Sequence, residues 1–187
     1  KDERYYYWSK TEAKGNYGKK IRQLIDKSKP EEIYFDGDIE KKKCGSEYFG
    51  IGAINVSYSD ELVAYSLDLK GSEYYTIYLR NIETNKIISE EIKDTSGSIL
   101  FSLDDKYIFY SKLDGNHRPK KIFRHEIGTS TKNDTLIFHE KTDAFTVNIG
   151  LSSDEKYYFI ISSDHNTSEQ YYFDINEKNP TPKLIQK

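Results

Sequence analysis

One phrase recurs along this chain and limits what it can become. Val56-Ser-Tyr-Ser-Asp-Glu-Leu-Val-Ala-Tyr-Ser66 is followed, 45 residues on, by Phe101-Ser-Leu-Asp-Asp-Lys-Tyr-Ile-Phe-Tyr-Ser111. A third copy, Leu151-Ser-Ser-Asp-Glu-Lys-Tyr-Tyr-Phe-Ile160, follows after a further 50. In each copy a short strand runs into a polar Ser/Asp turn, and an aromatic-rich strand leaves it. A loop, a third strand, another polar turn and a short fourth strand complete the unit. Asp and Ser suit such turns because their side chains bond to nearby backbone. Four short strands in 40–50 residues is the pattern of a propeller blade.

The unit predicts strands at 54–57, 62–68, 74–81 and 87–92, then at 98–101, 107–113, 121–127 and 135–139, then at 147–151, 157–163, 170–175 and 182–185. The opening segment supplies a partial copy at 5–9, 19–25 and 32–36. The expected fold is all-β: about four of seven propeller blades, each a four-stranded antiparallel sheet, at roughly 4–36, 53–93, 97–141 and 145–187, within one partial propeller domain spanning 1–187. The 17 Tyr and 9 Phe fit that class, since both favour pleated, half-buried surfaces. A sandwich or solenoid also predicts strands, but not a repeated four-strand phrase. No helix is expected. The stretch Glu40–Glu47 is polar without an apolar stripe and reads as a loop, and Lys41-Lys42-Lys43 and Lys120-Lys121 read as solvated loop charge. The chain holds no methionine and opens directly on a strand pattern, which points to an excised piece.

Composition excludes several function classes. A net charge of −3 gives no basic stripe for nucleic acid. No apolar run reaches membrane-spanning length. One cysteine, Cys44, rules out an internal disulfide and a four-cysteine zinc site.

Catalytic motifs are equally thin. Gly128-Thr-Ser130 lacks the second glycine of a nucleophile elbow and reads as a turn. His117, His125, His139 and His165 are scattered, without the i,i+4 spacing of a metal site, and read as ordinary sheet or loop histidines. Asp38, Asp114 and Asp164 read as turn acids. No catalytic residue, metal or cofactor is expected.

Longer stretches add a resemblance. Ser46-Glu-Tyr-Phe-Gly-Ile-Gly52, Tyr75-Thr-Ile-Tyr-Leu-Arg-Asn-Ile-Glu-Thr84, Asn116-His-Arg-Pro119 with Ile122-Phe-Arg-His-Glu-Ile-Gly-Thr129, and Asn166-Thr-Ser-Glu169 are similar, in order, to the propeller of the oligopeptidase B (protease II) branch of the prolyl oligopeptidase family. Tyr58-Ser-Asp60 departs from the Pro-Asp-Gly turn common there.

The resemblance implies a seven-bladed propeller that covers an α/β-hydrolase domain with a Ser-Asp-His triad. That domain lies outside these residues. It implies cleavage of short peptides after Arg or Lys, with the propeller admitting only small substrates, and the cytoplasm as location, the periplasm left open. Two positions match places where family propellers face the catalytic domain: Glu47, and with a weaker match Glu73. The expected partners are that domain and, through it, basic peptides. An incomplete ring is also expected to self-associate through open sheet edges. A free-standing propeller-like interaction module is the alternative reading, with a propeller glycosidase using a carboxylate pair behind it.

Overall fold

The computed structural model describes residues 4–186. Lys1-Asp2-Glu3 and Lys187, which the sequence places inside the propeller, lie outside them. Fifteen strands are seen among the described residues. Sheet one contains β1 (Tyr5–Lys10), β2 (Lys19–Leu24) and β3 (Glu32–Asp36), all antiparallel. A short helix, α1 (Gly37–Cys44), leads into sheet two: β4 (Gly50–Val56), β5 (Leu62–Asp68), β6 (Tyr75–Asn81) and β7 (Ile92–Thr95). Sheet three holds β8 (Leu100–Phe101), β9 (Tyr107–Leu113), β10 (Pro119–Glu126) and β11 (Thr135–His139). Sheet four holds β12 (Thr146–Leu151), β13 (Tyr157–Ser163), β14 (Ser168–Asp174) and β15 (Lys183–Gln186).

The recurring phrase has a physical reason. Its first serine closes the turn between the first two strands of a unit. The hydroxyl of Ser57 accepts the N–H of Leu62 at 3.0 Å, that of Ser102 the N–H of Tyr107 at 2.9 Å, and that of Ser152 the N–H of Tyr157 at 3.0 Å. The fifth residue of the phrase turns left-handed: Asp60, Asp105 and Glu155 have φ of 64°, 54° and 57°. That is the position where the related turn carries glycine. The last serine reaches the next sheet: Ser66 donates to the Gly97 carbonyl at 2.8 Å, and Ser111 to that of Val147 at 3.3 Å.

Three apolar cores alternate with the sheets. Phe35 packs with Val63, Tyr65 and Leu67 between sheets one and two. Ala64, Ile77 and Leu79 meet Ile99, Ile108 and Tyr110 between two and three. Phe109 and Ile122 meet Tyr158, Ile160 and Phe173 between three and four. Successive side chains of a strand point to opposite faces, so β5 and β9 each feed two cores. Sheets stacked face to face in chain order make a run of propeller blades. The outer faces keep exposed apolar groups: Ile33 on sheet one, Ile161 on sheet four.

Lys120-Lys121, read as solvated loop charge, lies in β10, and Lys120 is buried with its ammonium on the carbonyls of Thr142, Asp143 and Phe145. The structure corrects the sequence in three further places. First, the supposed loop after Asp36 is a helix. Asp36 caps it, accepting the N–H groups of Asp38 and Ile39 at 3.1 Å, and Gly45 ends it at φ 61°. Lys41, Lys42 and Lys43 lie in its last turn, where cations suit the helix dipole. Second, the strand expected at 87–92 touches β6 only through an Arg80–Ile87 bridge, breaks, and resumes at Ile92. It breaks because Ser89 and Glu90 turn to bond with sheet three. Third, a single bridge, Thr95–Lys112, joins sheets two and three into one eight-stranded ladder.

Candidate functional site

Antiparallel strands place successive connections at opposite ends. At one end, the near end, lie α1 with residues 45–49, and the hairpin loops 69–74, 114–118 and 164–167. At the far end lie the Ser/Asp turns and the connections 82–91 and 127–134.

Each hairpin loop at the near end is organised by one aspartate at the close of a strand. Asp68, nearly fully buried, accepts the N–H groups of Lys70 (2.9 Å), Gly71 (3.0 Å) and Glu73 (2.8 Å). Asp114 accepts those of Asn116 (2.8 Å) and Arg118 (3.0 Å). Asp164 accepts those of Asn166 and Thr167, both at 2.8 Å. These backbone donors hold the Asp114 and Asp164 carboxyls below the usual range. The two acids are loop-closing groups, as the sequence suggests, and Asp68 is their missed equivalent. Asp38, read as a turn acid, lies instead in the first turn of α1 and accepts the N–H of Asn16 at 3.1 Å.

Glu73 stands on the Asp68 loop with φ 60°, its side chain exposed. Glu47 follows α1 and is also exposed. The two loops touch: the Ser46 hydroxyl donates to the Leu69 carbonyl, and Tyr48 lies over Gly71, 3.3 Å from where a Cβ there would sit. Lys41 donates to the carbonyls of Ser46 and Glu47, the latter at 2.7 Å. The helix beneath is fastened by a buried ion pair, Arg80 to Glu40 at 2.7 Å, that nothing in the local sequence announces. Beyond Glu73, the Tyr74 hydroxyl donates to the Asp114 carbonyl at 2.8 Å, and its ring packs tilted against His117, 4.4 Å between centroids. The two glutamates thus share a continuous, bonded rim across sheets two and three.

The far end holds a different arrangement. His125 is wholly buried, with Nε2 2.8 Å from the Ser89 hydroxyl and Nδ1 2.7 Å from Asp134. Tyr110 donates to the other Asp134 oxygen at 2.7 Å. The residue types are those of a serine triad. A nucleophile site, however, also needs donors beside the serine and space above it. Here Glu90 next to Ser89 is tied to Ser130 (3.1 Å) and to the N–H of Thr131 (3.2 Å), so the cluster clasps the outer strand of sheet two to sheet three. Ser130 caps a 3-10 turn at Thr131–Asn133. Cys44 ends α1, partly buried and with a free thiol. Among the described residues no three His, Cys, Asp or Glu side chains gather to hold a metal ion, and no helix is long and apolar enough to cross a membrane.

Comparison with known proteins places this architecture. Protease 2 of Moraxella lacunata is 30% identical over 141 residues, covering 74% of this chain. Oligopeptidase B of Leishmania major superposes with a TM-score of 0.90 at 23% identity over 98% of the chain. Oligopeptidase B of Trypanosoma brucei, in its closed form with covalently bound antipain, gives 0.88 at 26% identity, also over 98%. The chain spans 20% of the first relative and 26% of each of the other two. The profile described as "Prolyl oligopeptidase, N-terminal beta-propeller domain" matches residues 1–187. The four sheets, their stacking and these matches agree: the chain belongs to the prolyl oligopeptidase family, as an oligopeptidase B-like part of its N-terminal β-propeller domain, distinct from the catalytic domain.

Proposed function

We propose that these blades form part of the substrate-gating cover of a serine peptidase that cleaves short peptides after Arg or Lys, and that the near end faces its α/β-hydrolase domain. The observation that carries the orientation is the bonded rim with Glu47 and Glu73 exposed on adjoining loops. Loops fixed by Asp68 and Lys41 can offer a carboxylate in one place at little further entropy cost. Glu47 is the group that pairs with an arginine of the catalytic domain when the two domains close, as a charge-assisted hydrogen bond. Glu73 borders the cavity that admits substrate. Closure of a two-domain enzyme of this kind excludes folded proteins and water from the reaction. The Trypanosoma brucei relative, caught closed around antipain, supports that picture.

Turnover of an Arg-Arg peptide reporter tests the reading. The isolated chain is expected to give none, and the longer protein containing it to be active. In that longer protein Glu47→Gln is expected to lower kcat/KM roughly tenfold, the factor that about 1.4 kcal/mol gives, with a smaller loss for Glu73→Gln. Unchanged kinetics in Glu47→Gln would remove it from the interface. The exposed Ile33 and Ile161 faces are, on this reading, covered by neighbouring blades, so the isolated chain self-associates. A concentration-independent monomer mass in light scattering would contradict that.

A further inference from the structure

We infer that Arg80, Glu40 and Lys41 are the positioning residues for Glu47, an inference that rests on the interdomain reading of that glutamate. Helix α1 has eight residues, too short to stand alone in water. It has no apolar stripe to anchor it; Ile39 is exposed, and Gly37 and Glu40 are its buried residues. What fastens it is directional. The Glu40 carboxylate accepts from Arg80 Nη1 at 2.7 Å. Arg80 reaches up from β6, donates its Nη2 to the Tyr34 carbonyl of β3 at 2.9 Å, and lies over the Tyr65 ring at 5.1 Å. One guanidinium therefore fixes the helix against both sheets at once.

The helix then fixes the loop. Lys41, adjoining Glu40, folds its side chain forward to the carbonyls of Ser46 and Glu47. The Ser46 hydroxyl is bonded to the Leu69 carbonyl, and the half-exposed Tyr48 ring lies over Gly71. Ser46 and Glu47 thus each have a hydrogen-bonded tether, and the chain of tethers begins at Arg80. Stability alone does not call for this design, because apolar groups of similar volume usually stabilise a buried site at least as well as an ion pair. A directional bond sets the rotation of α1, which matters when a carboxylate one turn further on has to meet a partner.

Backbone order parameters on the chain test this without any assay of turnover. In Arg80→Met and in Lys41→Met, the order parameters of residues 46–48 are expected to fall from about 0.85 toward about 0.6, while those of Ile160 and Phe173 in sheet four stay unchanged. Arg80→Lys, which keeps a cation on Glu40, is expected to restore most of the order. Unchanged order parameters at 46–48, or a fall that includes sheet four equally, overturns the inference. Should Arg80→Met fail to fold, Lys41→Met, altered at a half-exposed side chain, carries the same test. In the longer protein, Lys41→Met is expected to lower kcat/KM in the direction of Glu47→Gln, with the double variant falling no further. A loosened loop without a kinetic effect sinks the interdomain role of Glu47 and leaves the positioning intact. A loop that stays tight sinks the positioning whatever the kinetics show.

Discussion

The seam between sheets one and two and the seam between sheets three and four bury apolar side chains in the same geometry, yet only the first is threaded with ions. At the first seam Arg80 pairs with Glu40, Arg22 pairs with Glu32 at 2.7 Å and also donates to the Asp60 carbonyl, and Tyr7 donates to the Asp60 carboxylate at 2.7 Å. The third seam is aromatic. Phe109 meets Tyr158 at 4.6 Å, Tyr158 meets Phe173 at 5.1 Å, and Ile122 and Ile160 are fully enclosed. Its polar groups sit at the margin, where Lys120 donates to the carbonyls of Thr142, Asp143 and Phe145, and Glu140 accepts from Ser162. Apolar burial is non-directional and suits two flat sheets. The first seam must also seat a helix that offers no apolar stripe, and so it needs bonds with a direction.

That contrast predicts two kinds of damage. The largest effect is expected at the aromatic seam: Phe109→Ala removes the ring at its centre and should cost about 3–5 kcal/mol, read as a fall in the urea midpoint. Arg80→Met at the first seam leaves Glu40 buried without its main partner, an effect of about 3 kcal/mol. Lys43, 2.9 Å from Glu40, softens the loss. The sharper test is the pair. Arg80→Met with Glu40→Leu removes both charges and is expected to regain most of that stability. A double variant as weak as Arg80→Met alone would mean that the ions at the first seam hold more than each other, and the contrast would need redrawing.

Acid separates the seams further. Burial pushes the Glu140 carboxyl up, but the hydroxyl of Ser162 and the N–H of Thr142 together outweigh it, and the group titrates below its usual 4.5. Its folded value is thus lower than its unfolded one. The stability it supplies is complete above the unfolded value and is lost as pH falls through the folded one. Hydrogen bonds to a charged group of this kind are worth about 1.5–3 kcal/mol. Glu140→Gln is expected to flatten that part of the stability profile below about pH 4.5, with little change in the slope at neutral pH. An unaltered acid profile would show that other carboxyls govern it.

These contrasts mark what a sequence can display. The blades were legible because their signal is local: Ser57 and Ser102 bond five residues ahead, and β5 and β9 alternate faces along their own length. Helix α1 carried most of its signals too, in Asp36, the first-turn acids, the lysine run and Gly45. It was missed because the usual anchor, an apolar stripe, is replaced by Arg80 from forty residues away. His125 was equally opaque, since Ser89 lies 36 residues before it. Glu47 and Glu73 were singled out by resemblance; that their loops touch follows from the Ser46–Leu69 and Tyr48–Gly71 contacts, which no spacing foretells.

The smallest predicted effects concern one turn seen at both seams. Asp60 and Glu155 occupy the same left-handed position, with φ of 64° and 57°. A non-glycine residue held there loses about 1–2 kcal/mol to the clash of its Cβ. At the first seam Asp60 offsets that strain by accepting the Tyr7 hydroxyl, and burial together with this bond pushes the Tyr7 phenol well above its usual range. At the third seam the Glu155 side chain is exposed. Replacing each by glycine relieves the same strain, less the extra freedom that glycine has when unfolded. The signs should therefore differ: Glu155→Gly gains up to about 1 kcal/mol, whereas Asp60→Gly loses about 1 kcal/mol net once the bond to Tyr7 is gone. Paired urea titrations decide it. A gain from both would mean that the Tyr7–Asp60 bond adds nothing to the first seam, and that its directional contacts come down to Arg22 and Arg80.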